Sequence, residues 1–374
     1  MKKIYLFILL LLAFSACKSD DEKAVGALAR RVMGPQARGI AFEQVSASED
    51  CYELRQKGNK ILIRGNNANS MAVGLNRYIQ EYCLADVSWY HYNPVELPSV
   101  LPPVPEPVTG KAEIPIRFFL NYCTLGYTMP WWQWEEWERF IDWMALNGVN
   151  MPLAITGEEA VWQKVWRKYG LTDEQIRAFF TGPAHLPWQR MCNVDRWQGP
   201  LPQSWIDGQA ELQKRILKRE RELNMKPVLP AFSGHIPREL AGVVDQPLDT
   251  SQVARWGNFS QERRCTFLSP MDPMFSRIQK DFLEEQTRMY GTSHIYGLDS
   301  FNEVAPPSWE PDTLAMLSKG IYGSLASVDQ DAVWLQMGWL FLSKSWTPER
   351  VKAYLGSVPL GRLILLDYEG DYVE

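Results

Sequence analysis

With 374 residues, 46% of them hydrophobic, the chain is long enough to bury one large core beside a smaller one, which excludes a disordered or fibrous protein. Its formal net charge is -5, from 39 basic and 44 acidic residues, so it lacks the basic footprint that a nucleic-acid partner requires. The four histidines, His91, His185, His235 and His294, form no HExxH or other tight ligand spacing, and neither a metal nor a cofactor is indicated.

The chain begins MKKIYLFILLLLAFSA, a basic start, an apolar run and a small-residue end, which marks a secretory leader and not a membrane span. Cys17 follows at once. Small residues directly before a cysteine resemble a bacterial lipobox, and Lys18, Ser19, Asp20, Asp21 and Glu22 then make an acidic tether similar to the export tag of surface lipoproteins. Residues 1–17 are therefore expected to be a lipoprotein signal with a lipidated Cys17. The mature chain would sit at the outer membrane or cell surface, or in the periplasm, and touch the membrane through that lipid alone. A plain cleaved leader with Cys17 as a bystander is the alternative. The other five cysteines, at 51, 83, 123, 192 and 265, share no CxxC spacing and suggest no disulfide framework.

Residues 24–93 read as a small α/β domain, with a helix near 24–33, strand-like runs at 38–45 and 51–65, and an amphipathic helix over 67–82 announced by Gly65-Asn66-Asn67. Prolines at 94, 98, 102, 103, 105, 107 and 115 suit neither a helix nor a central strand, so 94–115 is predicted to be a linker. From 116 onward apolar strands, at 116–123, 149–155, 226–232, 294–301, 332–339 and 362–368, alternate with helices near 133–147, 158–169, 208–223, 274–289, 311–325 and 348–355. Doubly buried strands alternating with helices predict a parallel sheet, and the repeated order over this length favours a (β/α)8 TIM barrel. No Gly-rich nucleotide fingerprint follows the first strand, which counts against a doubly wound sheet. Six strands fall short of the eight that close a barrel, so residues 116–374 are expected to form an incomplete, C-terminally truncated barrel domain with an exposed edge.

A barrel carries its chemistry at the C-terminal ends of its strands. Those ends bear Asn121, Cys123 and Tyr127 after the first strand, Glu158 and Glu159 after the second, and Ser233, Gly234 and His235 after the third. Asn302 and Glu303 follow the fourth, Gln336 and Trp339 lie on the fifth, and Asp367 and Glu369 end the sixth. Sixteen tryptophans, with Trp131, Trp132, Trp134, Trp188 and Trp309 on nearby loops, point to a polyhydroxylated ligand, because a sugar stacks its C–H face on indole while its hydroxyls demand polar partners. Several of these have plainer readings: Trp134, Trp137 and Phe140 lie at helical spacing, Cys123 suits a small buried hydrophobe, His235 a structural histidine, and Glu158 and Glu159 the acidic first turn of a helix. Glu303 is harder to dismiss, since a strand-end carboxylate beside an amide suits glycoside hydrolysis.

Seven stretches, RFFLNYCTLGY, WWQWEEWERFIDWMALNGVNMPLA, FFTGPAHLPWQRM, GPLPQSW, KPVLPAFSGHIP, HIYGLDSFNEVAPP and AVWLQMGWLF, together resemble the α-N-acetylglucosaminidase family of glycoside hydrolases, from about residue 115 to the end, and the domain before them fits as well. The resemblance implies an exo-acting retaining hydrolase that releases terminal α-linked N-acetylglucosamine (GlcNAc) from glycans. It implies Glu303 as the general acid/base, and Asn121, Cys123, Tyr127, Trp188, Asn302 and Trp339 as the walls of the GlcNAc pocket. The family's nucleophile is a glutamate near the seventh strand, which lies past Glu374. Asp299, Glu369 and Glu374 are the carboxylates within range, with Glu369 the best placed in sequence, so the chain is expected to lack its nucleophile. The rival expectation is a non-catalytic surface glycan-binding lipoprotein; a different exo-glycosidase is a third.

Overall fold

The structure, a computed structural model, describes residues 18–91, 94–302 and 304–367. It falls into two compact units, one built from the chain up to Asp86 and the stretch that ends at Ala112, the other from Val87 to His91 and from Glu113 onward.

In the first unit, α1 (Asp20–Met33) starts at Ser19, whose hydroxyl accepts the Glu22 N–H; acidic residues fill its first turn and Arg30 and Arg31 its last, complementing the helix dipole. The strands β1 (Ile40–Gln44), β2 (Cys51–Lys57) and β3 (Lys60–Gly65) are followed by α2 (Ala68–Glu81), which is capped by the Asn67 side chain, and by β4 (Val108–Lys111). The sheet runs β1-β3-β2-β4, parallel at β1–β3 and antiparallel elsewhere. Gly74 lets α2 approach the sheet, because a Cβ there would sit 2.8 Å from the Ile63 side chain.

The expected linker over 94–115 is not one. The Val95 N–H bonds the Val32 carbonyl at 2.8 Å, the Tyr78 hydroxyl bonds the Pro102 carbonyl at 2.7 Å, and Val104 is buried. Pro107 directly precedes β4, which lies at the edge of the sheet, where prolines beside a strand cost no ladder bond. The prolines therefore mark a strap packed on the unit.

In the second unit, β5 (Phe118–Phe119) leads through α3 (Thr124–Tyr127) to α4 (Trp134–Leu146). Next, β6 (Met151–Pro152) leads to α5 (Glu158–Lys168), α6 (Asp173–Phe179), α7 (Leu186–Arg190) and α8 (Gln203–Glu222). After β7 (Leu229–Pro230) comes an antiparallel excursion of β8 (His235–Ile236), β9 (Thr250–Gln252) and β10 (Thr266–Leu268), and then α9 (Pro273–Tyr290). The chain continues through β11 (Ile295–Gly297), α10 (Pro311–Ala326), β12 (Val333–Met337), α11 (Pro348–Leu355) and β13 (Leu363–Leu366). Every neighbouring pair along β5, β6, β7, β11, β12 and β13 is parallel, with a single bridge from Leu153 to Val228 joining the second to the third. These are six consecutive staves of a (β/α) barrel, packed outside by helices through wholly buried Trp166, Phe232, Phe275, Phe282 and Trp334.

The staves are shorter than the apolar runs that encode them, because side chains replace ladder bonds where the strands diverge. Gln213 on α8 donates to the Ala154 carbonyl at 2.7 Å, and Gln286 on α9 donates to the Pro230 carbonyl at 2.9 Å. Gln279 on α9 accepts the Phe232 N–H at 2.9 Å and returns a bond to the Phe232 carbonyl at 3.3 Å. All three glutamines are buried, so each answers a backbone group that would otherwise be orphaned. Gln279→Leu is expected to lower stability by about 2 kcal/mol, since both Phe232 groups lose their partner. Urea unfolding checks this, and an unchanged midpoint would contradict it.

Candidate functional site

The strand ends of the second unit open onto a cleft of about 360 Å³. Asn121, Tyr122 and Cys123, just past β5, form one wall. Leu120 before them takes φ +113, rare for a residue with a Cβ, and turns the chain at the rim. The Asn121 side chain then accepts the Cys123 N–H at 2.7 Å, fixing that turn. Gly297 on β11 makes room for the Tyr122 hydroxyl, which a Cβ would meet at 2.8 Å. Trp188, Met191 and Asn193, from α7 and the residues after it, join the lining together with Trp256; Asn302, Met337 and Trp339 complete it.

Of the residues the sequence pointed to, Asn121, Cys123, Trp188, Asn302 and Trp339 thus share one cleft. Tyr127 does not line it but sets its ring edge-on to Trp188 at 5.4 Å, 70% exposed. Glu303 lies outside the described residues, as do Cys17, Glu369 and Glu374. The expected ring of loop tryptophans is corrected: Trp132 packs on Trp137 and Phe140, Trp134 lies under the Arg215 guanidinium at 4.3 Å, and Trp309 abuts Trp346. Trp131 is exposed and set against Trp205. The indoles at the cleft are Trp188, Trp256 and Trp339, with Trp188 and Trp256 centred 6.0 Å apart. Gly126 lets Trp188 lie against α3, for a Cβ there would come within 2.5 Å of the indole.

Tyr122, Met191, Asn193, Trp256 and Met337 escaped the sequence reading. Trp256, in the polar segment Arg255-Trp256-Gly257-Asn258, follows no apolar period and carried a usable signal; Asn193 carried none. Two polar atoms in this lining are buried without a partner, the side-chain nitrogen of Asn193 and the side-chain oxygen of Asn302. An unbonded buried amide is costly, and a ligand that bonds it recovers that cost.

Beneath the rim, Glu158 and Glu159 form the acidic first turn of α5, as their plainer reading has it, and also take part in a buried ion cluster. Both are buried and face Arg190 on α7, which makes two 2.9 Å bonds to Glu159 and lies 3.4 Å from Glu158. Trp162 donates to Glu158 at 2.8 Å. Burial nonetheless pushes the Glu158 carboxyl up to about 7, with Arg190 opposing the rise and Glu159 adding to it. Gly157 makes this start possible: it takes φ +72, and a Cβ there would come within 2.8 Å of the Gln209 carbonyl oxygen.

Asp299, the one described carboxylate proposed as nucleophile, does not line the cleft. It accepts bonds from Gln336 at 2.5 Å and the Met337 N–H at 2.7 Å, tying the end of β11 to β12. Ser233 accepts the Asp299 N–H at 3.2 Å.

The family model for the alpha-N-acetylglucosaminidase (NAGLU) TIM-barrel domain matches residues 117–374, and that for the N-terminal domain of the same family matches residues 23–103. Human alpha-N-acetylglucosaminidase is 42% identical over 373 residues, covering 96% of this chain and 50% of the human protein, so the chain spans about half the length of that relative. A family 89 glycoside hydrolase from Clostridium perfringens, in complex with a 2-acetamido-dideoxynojirimycin, superposes with a TM-score of 0.83 at 29% identity, over 93% of this chain and 39% of that one. A doubly substituted Clostridium perfringens family 89 protein, in complex with its substrate GlcNAc-alpha-1,4-galactose, gives 0.82 at the same identity and coverage.

Desolvation raises the Asp299 carboxyl to about 7, partly offset by its bonds to Met337 and Gln336. The unfolded value lies near 4, so between roughly pH 4 and 7 the folded chain keeps a proton that the unfolded chain has lost. Stability therefore falls as pH rises through that window. Asp299→Asn keeps the acceptor oxygen and removes the titration, and is expected to flatten the fall in urea unfolding between about pH 5 and pH 7. An unaltered slope would contradict this.

Proposed function

This chain belongs to the alpha-N-acetylglucosaminidase family, and we propose that its cleft takes the terminal α-linked GlcNAc of a glycan for hydrolysis with retention. The observation that carries the reading is the pair of orphaned amide atoms, a donor on Asn193 and an acceptor on Asn302, set among three indoles. An acetamido group offers the matching set, one carbonyl and one N–H, and the sugar's apolar face suits the indoles.

In this reading Glu303, the residue after Asn302, protonates the glycosidic oxygen as the C1–O bond breaks. A second carboxylate attacks C1 from the opposite face. Glu303 then takes a proton from water, which attacks C1 and releases the carboxylate. Substrate assistance is excluded for this linkage: the acetamido group lies on the same face as the leaving oxygen and cannot reach C1 from behind. The nucleophile must sit about 5 Å from the acid, yet the described lining contains no Asp or Glu and Asp299 is held elsewhere. We infer that none of the described residues supplies it.

The purified chain and an alkyl α-GlcNAc test this. Tryptophan fluorescence should report binding, hydrolysis should be negligible alone, and azide, as a surrogate nucleophile, should restore cleavage. Glu303→Gln should keep binding and lower the azide-dependent rate by about 100-fold or more. Robust hydrolysis without azide would overturn the missing nucleophile, and absence of binding would overturn the site. Binding with no azide-dependent cleavage would favour a glycan-binding module over an enzyme.

We further propose that the chain is exported and anchored through Cys17, on the strength of the leader pattern. Among the described residues no helix is long and apolar enough to cross a membrane. Metabolic labelling with a radioactive fatty acid should mark the chain and be lost in Cys17→Ser; equal labelling of both would contradict the anchor.

A further inference from the structure

Three side chains far apart in sequence meet beside the cleft wall. The sulfurs of Cys192 and Cys265 and a ring nitrogen of His235 lie within 4.8 Å of one another. They arrive from three elements: Cys192 follows α7, His235 opens β8, and Cys265 directly precedes β10, which pairs antiparallel with β8. Cys192 and Cys265 are buried, and the His235 side chain is 10% exposed.

The hydrogen bonding around the cluster leaves ligand atoms unused. His235 Nδ1 lies 2.9 Å from the Gln189 carbonyl. A carbonyl only accepts, so Nδ1 carries a proton, and in the neutral ring Nε2 then presents its lone pair, the arrangement that orients a metal-binding imidazole. Nε2 is buried and has no hydrogen-bond partner. Asp195, wholly buried, faces it at 3.8 Å, and neither carboxylate oxygen has a hydrogen-bond partner. Arg238 and Arg196 approach the same carboxylate at 3.5 and 3.7 Å and offset the negative charge gathered here.

Cys192 itself sits at φ +62, past the end of α7, where glycine is the usual residue. A cysteine in that backbone region is strained, and the strain brings its sulfur to the cluster.

We propose that Cys192, His235 and Cys265, with Asp195 as fourth ligand, form a structural zinc site that fixes the Met191–Asn193 wall of the cleft. Two thiolates and an imidazole suit zinc over calcium or magnesium. With Zn–S near 2.3 Å and Zn–N near 2.0 Å, the edges of a tetrahedral site run about 3.3 to 3.8 Å, so Cys192, His235 and Cys265, already within 4.8 Å, need shifts on the order of 1 Å, and Asp195, which faces His235 but lies outside that set, moves further to become the fourth ligand. Binding turns two thiols into thiolates and releases their protons to solvent; no electrons move. The wall is coupled directly, because Met191 and Asn193 line the cleft on either side of Cys192.

Metal analysis of the chain purified without chelator should find one zinc per molecule. Cobalt added to the metal-free chain should give thiolate-to-cobalt charge transfer and the visible bands of a tetrahedral complex, a readout that depends on no variant folding. Cys192→Ser and Cys265→Ser should lose both signals, Cys51→Ser should keep them, and Asp195→Asn should weaken zinc binding by about tenfold or more. A chain with free thiols that takes up neither metal would overturn the proposal. A Cys192–Cys265 disulfide in the metal-free protein as isolated, found by peptide mapping, would overturn it as well.

Discussion

Arg190 buried between Glu158 and Glu159 is the interaction on which the cleft depends. A cation this far from water is tolerated only when paired, and two carboxylates meet it from the start of α5, just past the second stave. The pair clamps α7 to the barrel. α7 and the residues after it then face two ways: Trp188, Met191 and Asn193 line the cleft, while Gln189, Arg190 and Cys192 turn into the interior. Gln189 adds to the clamp, with its side chain bonded to Thr181 and Phe179 and its carbonyl to His235. Without Arg190 two buried carboxylates would face each other, a loss of about 3–5 kcal/mol by the usual cost of breaking a buried pair.

The barrel was legible because its signal is periodic. Each apolar run from 116 to 368 holds a stave, and helices such as Pro273–Tyr290 and Pro348–Leu355 lie where amphipathic spacing puts them. What escaped was aperiodic or non-local. The excursion β8–β10 is made of strands of two and three residues, too short to show alternation. The prolines of 94–115 suggest a linker because the donors they lack are visible in sequence, whereas the Tyr78–Pro102 bond is not. Glu158 and Glu159 look like any acidic first turn until Arg190, about thirty residues on, is brought beside them.

The site divides in the same way. Strand-end position was enough to single out Asn121, Cys123, Asn302 and Trp339, since barrel geometry fixes where such residues project. Asn193 sits on no strand, and its place in the lining follows only from the short helix that α5 holds in place. Trp132 and Trp309 pack instead of lining the cleft, and Trp134 keeps its plainer helical place, because an indole is as useful in packing as in stacking on a sugar. The membership of the alpha-N-acetylglucosaminidase family then gives the cleft a chemical context, over a chain that covers about half of its human relative.

In the proposed site, the orphaned amides of Asn193 and Asn302 read an acetamido group. Calorimetric titration of the chain with methyl α-GlcNAc and with methyl α-glucoside tests it most directly, because the two ligands differ only at C2. The glucoside is expected to bind at least about tenfold more weakly, because a buried polar pair is left unmatched. Equal affinities would contradict it.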